Sequence, residues 1–342
     1  METLWFCLVA IMIAGYVVLD GFDLGAGIVH LFVAHSDHEK RTVIASIGPV
    51  WDGNEVWLLA GGGTLYFAFP ALYASSFSGF YLPLMIVLWL LVLRGISIEF
   101  RSHIASPAWT PIWDTGFAGA SLLLAIFYGA ALGNVVRGVP LDASGNFFLP
   151  LWTDFRASSH SGILDWYTIL TGVAALLALT LHGALWVALK SPTPIRERAA
   201  FLARRVWWEV VAATAAITAA SFAIQPHLSE RFAAAPWGFV FPVIAAAGLL
   251  GVFLCKGPQT ELAAFLSSCG YLVGMLTSAA FGVYPMLLPA SSDPAFSLTI
   301  HNAAAGSYGL QIGLAWFIPG MLLAVVYAVF TYRRFSGRLR LE

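Results

Sequence analysis

The chain is 342 residues long, 59% hydrophobic and 10% charged, with 17 Lys plus Arg against 18 Asp plus Glu. A water-soluble domain carries about a quarter of its residues as charges, so this composition excludes one and leaves lipid as the solvent for most of the surface. A net charge of -1 supplies no basic field for a nucleic-acid partner, and Cys7, Cys255 and Cys269 are too scattered for a disulfide frame or a CxxC metal site.

Apolar runs long enough to cross about 30 Å of hydrocarbon as helices follow one another along the chain. Nine are predicted, at 4–33, 46–69, 75–93, 114–136, 164–188, 204–224, 238–255, 261–283 and 307–331. The chain therefore reads as an all-α polytopic membrane protein, with 1–342 as a single integral membrane domain. Met1 and Glu2 give the first run no basic flank and no A-x-A cleavage pattern follows it, so it is expected to stay as a helix. With nine spans, every Lys and Arg except Arg137, Arg156 and Arg231 falls on one side. The positive-inside rule makes that side cytoplasmic, with the N-terminus outside and the C-terminus inside.

In the first span, YVVLDGFDLGAGIVH places Asp20 and Asp23 on one helical face, Asp20 near the bilayer centre and Asp23 nearer the cytoplasm. An ionised carboxylate there costs at least about 2.5–3.5 kcal/mol, so it faces a bundle interior or water. It either moves protons or makes a packing hydrogen bond. Gly21 and Gly25 beside them form a small-xxx-small pair suited to close helix contact.

The second span opens GPVWDGNEVW, with Asp52, Asn54 and Glu55 in its first turns at the predicted cytoplasmic edge. Asp52 and Glu55 share a face. Acids at a helix N-terminus can simply cap it, but Glu55 lies a turn deeper, between Trp51 and Trp57, which suits proton uptake as well as capping. Trp51 and Trp57 are read as interface or anchoring positions. Gly61, Gly62 and Gly63 lack the Lys and Ser/Thr of a phosphate loop and are expected to let helices approach closely.

The third span leaves through LRGISIEFR, which would gather Arg94, Glu99 and Arg101 on the inner face, near Asp114 at the start of the fourth. They form either ordinary interfacial ion pairs and anchors or, with Glu99, an acidic cytoplasmic mouth. The Gly- and Pro-containing connection 137–163 reads as a surface cap, and SPTPIRERAA (191–200) as a short solvated linker. Glu209 and Glu261 are expected to be interfacial, paired or capping. Of the eight histidines, His35, His38, His103, His160, His227 and His301 lie outside spans or at their ends. His182 alone lies well inside a span and His30 near the end of one; both are read as hydrogen-bonded structural residues, without a paired-His motif for metal or haem.

Four strings, LDGFDLGAG, GPVWDGNEVWLLAGGGTLYFAFPALYASSFSGFY, LRGISIEFR and YPMLLPASSDPAFSLTIHNAA, occur in the order in which similar ones occur in subunit II of the cytochrome bd-type quinol oxidases, which the chain closely resembles. The resemblance is densest over the first 135 residues or so and weak near 140–163, and Ala304 and Ala305 stand where that family often has Ser.

The resemblance implies two four-helix bundles plus one peripheral helix. It also implies a partner, subunit I, which carries haems b558, b595 and d and the quinol-oxidising loop, while subunit II holds no haem ligand. Such a complex oxidises quinol at the outer face and reduces oxygen to water with cytoplasmic protons, without pumping. The resemblance makes Asp52 the cytoplasmic proton-uptake residue and assigns Asp20 and Asp23 to a second path or a structural role. Glu55 matches a position that can be Gln. Small accessory subunits, and a structural quinone or lipid between helices, are compatible with this pattern. Buried acids and Gly-interrupted helices would equally suit a proton-coupled secondary transporter, and a scaffold whose acids only pack is the third reading.

Overall fold

The structure, a computed structural model, describes residues 1–104, 106–157, 161–257 and 259–339; His160 and Arg340, both weighed in the sequence, lie outside them. Four long helices form a first bundle: α1 (Glu2–Val33), α3 (Trp51–Ala68), α5 (Tyr81–Phe100) and α6 (Trp109–Arg137). The short α2 (Asp37–Ile47) lies at one end, and α4 (Pro70–Gly79) joins α3 to α5 at the other. A second bundle holds α7 (Trp166–Lys190), α8 (Ile195–Ile224), α10 (Val240–Leu254) and α11 (Glu261–Val283), with the short α9 (Pro226–Ala234) between α8 and α10. The last helix, α12 (Ser307–Arg334), is peripheral. Its most apolar stretch is buried nowhere along its length, and it leans on α1 through Phe317 against Trp5, with ring centroids 5.5 Å apart.

Eight of these helices are long and apolar enough to span a membrane, and α3 with α4, bent by 120° at Phe69, makes a ninth span if taken as one. The predicted run 46–69 is therefore not one helix. Its first residues belong to the end of α2 and a turn, and α3 starts at Trp51. At its far end Pro70 opens α4, where its missing N–H costs nothing, instead of continuing α3. The segment 191–200 is only half a linker, because α8 begins at Ile195, directly after Pro194.

The bundles are joined where glycines let backbones touch. A Cβ on Gly25 of α1 would lie 2.6 Å from Gly183 Cα of α7, and one on Gly129 of α6 would lie 2.8 Å from Gly172 Cα. Neither gap admits a methyl group, so α1 and α6 both pack backbone to backbone on α7. The run Gly61–Gly63 behaves otherwise: a Cβ on Gly61 would make only ordinary contact with Met12 at 3.8 Å, and among the described residues nothing lies within 4 Å of one on Gly62 or Gly63, so the run is not the close-packing site expected within this chain.

At the end opposite α2, apolar residues of the 137–163 connection (Leu141, Phe147, Leu149) pack on Trp5, Phe69 and Leu72. The predicted cap is thus present, and a two-stranded antiparallel ribbon that the helical reading missed completes it: β1 (Met286–Leu288) and β2 (Leu298–Thr299). Buried Arg137 pairs with Asp165, whose carboxylate also caps α7 by accepting the N–H groups of Tyr167 (2.7 Å) and Thr168 (2.9 Å). This clip ties the cap to the start of the second bundle.

Candidate functional site

Asp20 and Asp23 are 0% and 1% exposed, so each needs a partner that the rest of the chain must supply. For Asp20 that partner is Arg94 of α5, itself fully buried. Its Nη1 donates to Asp20 Oδ2 at 2.9 Å and its Nη2 to Asp20 Oδ1 at 2.7 Å, the two-pronged geometry that a planar guanidinium offers a carboxylate. Nη2 also reaches Glu55 Oε2 of α3 at 3.0 Å, so one cation serves two acids from two helices.

Asp23 is held differently. Asn54 of α3 donates from Nδ2 to Asp23 Oδ2 at 2.7 Å, and Tyr332 of α12 donates its hydroxyl to Asn54 Oδ1 at 2.7 Å. The other oxygen, Asp23 Oδ1, is buried without a hydrogen-bond partner among the described residues. One turn before Asp20, Tyr16 donates to Tyr128 of α6 at 2.9 Å.

A second charged cluster closes the α2 end. Asp114, buried, accepts Arg101 Nε at 2.5 Å and Lys40 Nζ at 3.2 Å, with His30 Nε2 3.7 Å away. Arg101 also reaches Asp37 at 2.8 Å. Glu39 accepts the backbone N–H of His35 at 2.6 Å and Arg198 of α8 at 2.8 Å. These donors hold its carboxyl below the usual carboxylate pKa, the His35 amide above all.

The sequence-predicted residues divide accordingly. Asp20, Asp23, Asn54 and Glu55 come together. Asp52 is exposed at the start of α3, on the face that Glu55 continues inward. Glu99 is exposed and outside the cluster, and its backbone carbonyl accepts from the His103 ring Nδ1 at 2.9 Å. Arg94 is not at the inner face as expected: it lies within α5, drawn into the bundle by two carboxylates. Arg101 makes the expected ion pair, but buried rather than as a surface anchor, because Asp114 lies more than a turn inside α6. Trp51 and Trp57 are half-buried against the chain's own helices, Trp57 beside Gly15 and Trp51 beside Gly95.

The sequence reading missed Tyr332, the Tyr16–Tyr128 pair and the Arg137–Asp165 clip. Asp20 itself, a carboxylate inside an apolar run, was the available signal that a countercharge was required; Arg94, directly after the predicted run 75–93, gave no sign that it turns inward.

The two histidines within spans make contacts within the chain. His182 has Ser268 Oγ at 2.7 Å on Nδ1 and the Val18 carbonyl at 3.0 Å on Nε2, while His30 Nδ1 is 2.7 Å from the Gly27 carbonyl and its other nitrogen faces Asp114. Among the described residues no three His, Cys, Asp or Glu are grouped as a metal site would need.

Residues 1–335 match the sequence profile of the family described as Cytochrome bd terminal oxidase subunit II. The chain is 31% identical to the probable cytochrome oxidase subunit 2 of Haemophilus influenzae, over 98% of this chain and 94% of that one. It is 30% identical to the cytochrome bd ubiquinol oxidase subunit 2 of Bacillus subtilis, over 98% and 96%. Its fold is similar to that of a chain in the bd oxidase structure from Geobacillus thermodenitrificans, with a TM-score of 0.74, 19% identity and 98% of each chain covered.

Proposed function

Because the chain belongs to the cytochrome bd terminal oxidase subunit II family, we propose that it is the haem-free half of a quinol:oxygen oxidoreductase, stabilising a haem-bearing subunit I and conducting cytoplasmic protons toward it. In this reading the haems supply the electron transfer and oxygen chemistry and are held by the partner, and His182, bonded at both ring nitrogens, serves packing. In this reading the α2 end faces the cytoplasm and the ribbon end the outside.

The observation that carries the proton path is the run of carboxyl groups from the surface inward. Asp52 is exposed at the α2 end of α3; Glu55, three residues on, is half-buried and touches Arg94, which binds Asp20. A carboxyl group suits such traffic because it binds and releases a proton at little cost. Asp20, held two-pronged by Arg94, is a fixed countercharge rather than a carrier, and Asp52 and Glu55 do the carrying. Beside them α3 and α5 present large apolar side chains, Leu59 at 73% and Trp89 at 69% exposure. Acids beside such a lipid-depth surface call for a protein neighbour, and subunit I fits that place. Family membership favours this reading over a proton-coupled transporter, which the buried acids alone would equally suit.

Asp52→Asn in the complete oxidase tests it. Haem content should stay normal while oxygen consumption falls roughly tenfold or more, as when a proton-transfer group is lost. Full turnover in that variant would reduce the acids to packing.

A further inference from the structure

At the α2 end a pocket of about 230 Å³ lies between the end of α2 and the turn after it, the last turn of α7, and residues 335–339, which follow α12. Three cations line it, Lys190, Arg334 and Arg338, and among the described residues no Asp or Glu does. Arg338 pairs with Glu261, but Lys190 and Arg334 have no carboxylate partner among the described residues. Lys190 Nζ donates to the Phe335 carbonyl at 2.6 Å. A neutral carbonyl uses one of the three ammonium N–H groups and cancels none of the charge.

The cations are held around one space by the chain itself. Gly337, in the left-handed region at φ +100°, turns the backbone after α12, and Leu339 N–H then donates to the Lys190 carbonyl at 2.9 Å. Trp186 supplies an apolar wall, its indole N–H donating to the Ser46 carbonyl at 3.2 Å and Lys190 Nζ lying 5.4 Å from its ring centroid.

Depth in the membrane narrows the choice of anion. α7 ends at Lys190 and α12 at Arg334, so the free charges sit where two apolar spans give way to water. Leu323, Val326 and Phe330 precede Arg334 at helical spacing on one face, and all three are exposed. A volume of about 230 Å³ suits a headgroup without its chains, since pockets for drug-sized molecules run to roughly 300–1,000 Å³. Basic pockets between helix ends are places where phosphate headgroups bind.

We propose that this pocket is a phosphate site that seats the headgroup of an anionic phospholipid, with the phosphate on Lys190 and Arg334 and the acyl chains along α12. Uncancelled positive charge favours an anionic headgroup over a zwitterionic one, whose own cation the pocket repels. A soluble phosphate presents the same anion, but a phospholipid is already held at this depth by its chains. The bound lipid bridges α7 and α12 and so fastens the peripheral helix to the second bundle. None of Asp20, Asp23 and Asp52 lines the pocket, so the site stands apart from any proton path.

The test uses the complete oxidase in mixed micelles of equimolar phosphatidylcholine and phosphatidylglycerol, with native mass spectrometry reading the lipid retained after detergent exchange. The parent is expected to retain phosphatidylglycerol in preference. Arg334→Gln should weaken that preference about fivefold, the factor for one cation beside an anionic headgroup. Ser336→Glu, which sets a carboxylate at an exposed rim position and removes no cation, should weaken it at least as much. Arg333→Gln is the control: Arg333 is exposed on the same last turn but does not line the pocket, and its loss should change little. Added phosphatidylglycerol should raise the thermal midpoint of the parent and of Arg333→Gln, and not that of Arg334→Gln. Haem content checks assembly, and Ser336→Glu carries the test if Arg334→Gln does not assemble.

Equal losses in Arg333→Gln and Arg334→Gln would reveal a diffuse basic surface and overturn the pocket, as would unchanged retention in an assembled Arg334→Gln or in Ser336→Glu. Inorganic phosphate, titrated calorimetrically into the complex in phosphatidylcholine alone, separates the two sources. If it binds, and Arg334→Gln abolishes that binding while leaving the lipid preference intact, the site takes soluble phosphate and the lipid assignment falls.

Discussion

Arg94 illustrates how one side chain makes a charged layer tolerable in oil. Fully buried, it neutralises Asp20 and touches Glu55, so removing it leaves a carboxylate without countercharge at hydrocarbon depth. Arg94→Ala is expected to cost about 3–5 kcal/mol, the usual penalty for breaking a buried pair on one side. The yield of assembled, haem-loaded complex and its thermal midpoint would measure this. Removing both charges together, as Arg94→Met with Asp20→Leu, should recover most of the stability, since the desolvation cost disappears with the pair. A single Arg94→Ala variant as stable as the parent would contradict the account. At this scale the sequence disclosed the acids, because carboxylates inside an apolar run are conspicuous. It disguised Arg94, because a cation near the end of a run looks the same whether it points to headgroups or into the bundle.

Among the helices, the decisive contacts are those where side chains are absent. Gly25 meets Gly183 backbone to backbone, so no rotamer change can relieve an added methyl group. Gly25→Ala is expected to destabilise the complex by about 1–3 kcal/mol through overpacking. Gly62→Ala, which enters open space, should be neutral or stabilising by up to about 1 kcal/mol through helix propensity. Thermal unfolding in detergent compares the two directly; equal midpoints would mean that α1 and α7 do not need the close approach. The pair Gly21 and Gly25 was recognisable as a packing motif because small residues four apart share a helix face. The run Gly61–Gly63 was misread for the opposite reason: three consecutive glycines occupy three faces, and sequence does not say which of them meets a neighbour. The bend at Phe69 was likewise hidden, since hydropathy continues across Pro70 while the backbone turns by 120°.

For the molecule as a whole, the division of labour predicts a simple spectrum. The chain purified without its partner should show no haem absorption in the visible region, whereas the complex should show strong bands. Bands from the isolated chain would overturn that division of labour. Composition and hydropathy determined the membrane class and close to the full set of spans, while the resemblance of the strings around Asp20, Asp52 and Arg94 to known sequences pointed to the family. Those properties are local sums over contiguous residues, and a helix crosses a bilayer on its own composition. Tertiary structure alone decided which charges meet. Asp20 and Arg94 are 74 residues apart and Asn54 and Tyr332 are 278 apart, and their contacts depend on how far each helix is rotated and slid against its neighbours. Rotation and register are set by packing summed over the whole interface, which no single stretch of the chain contains.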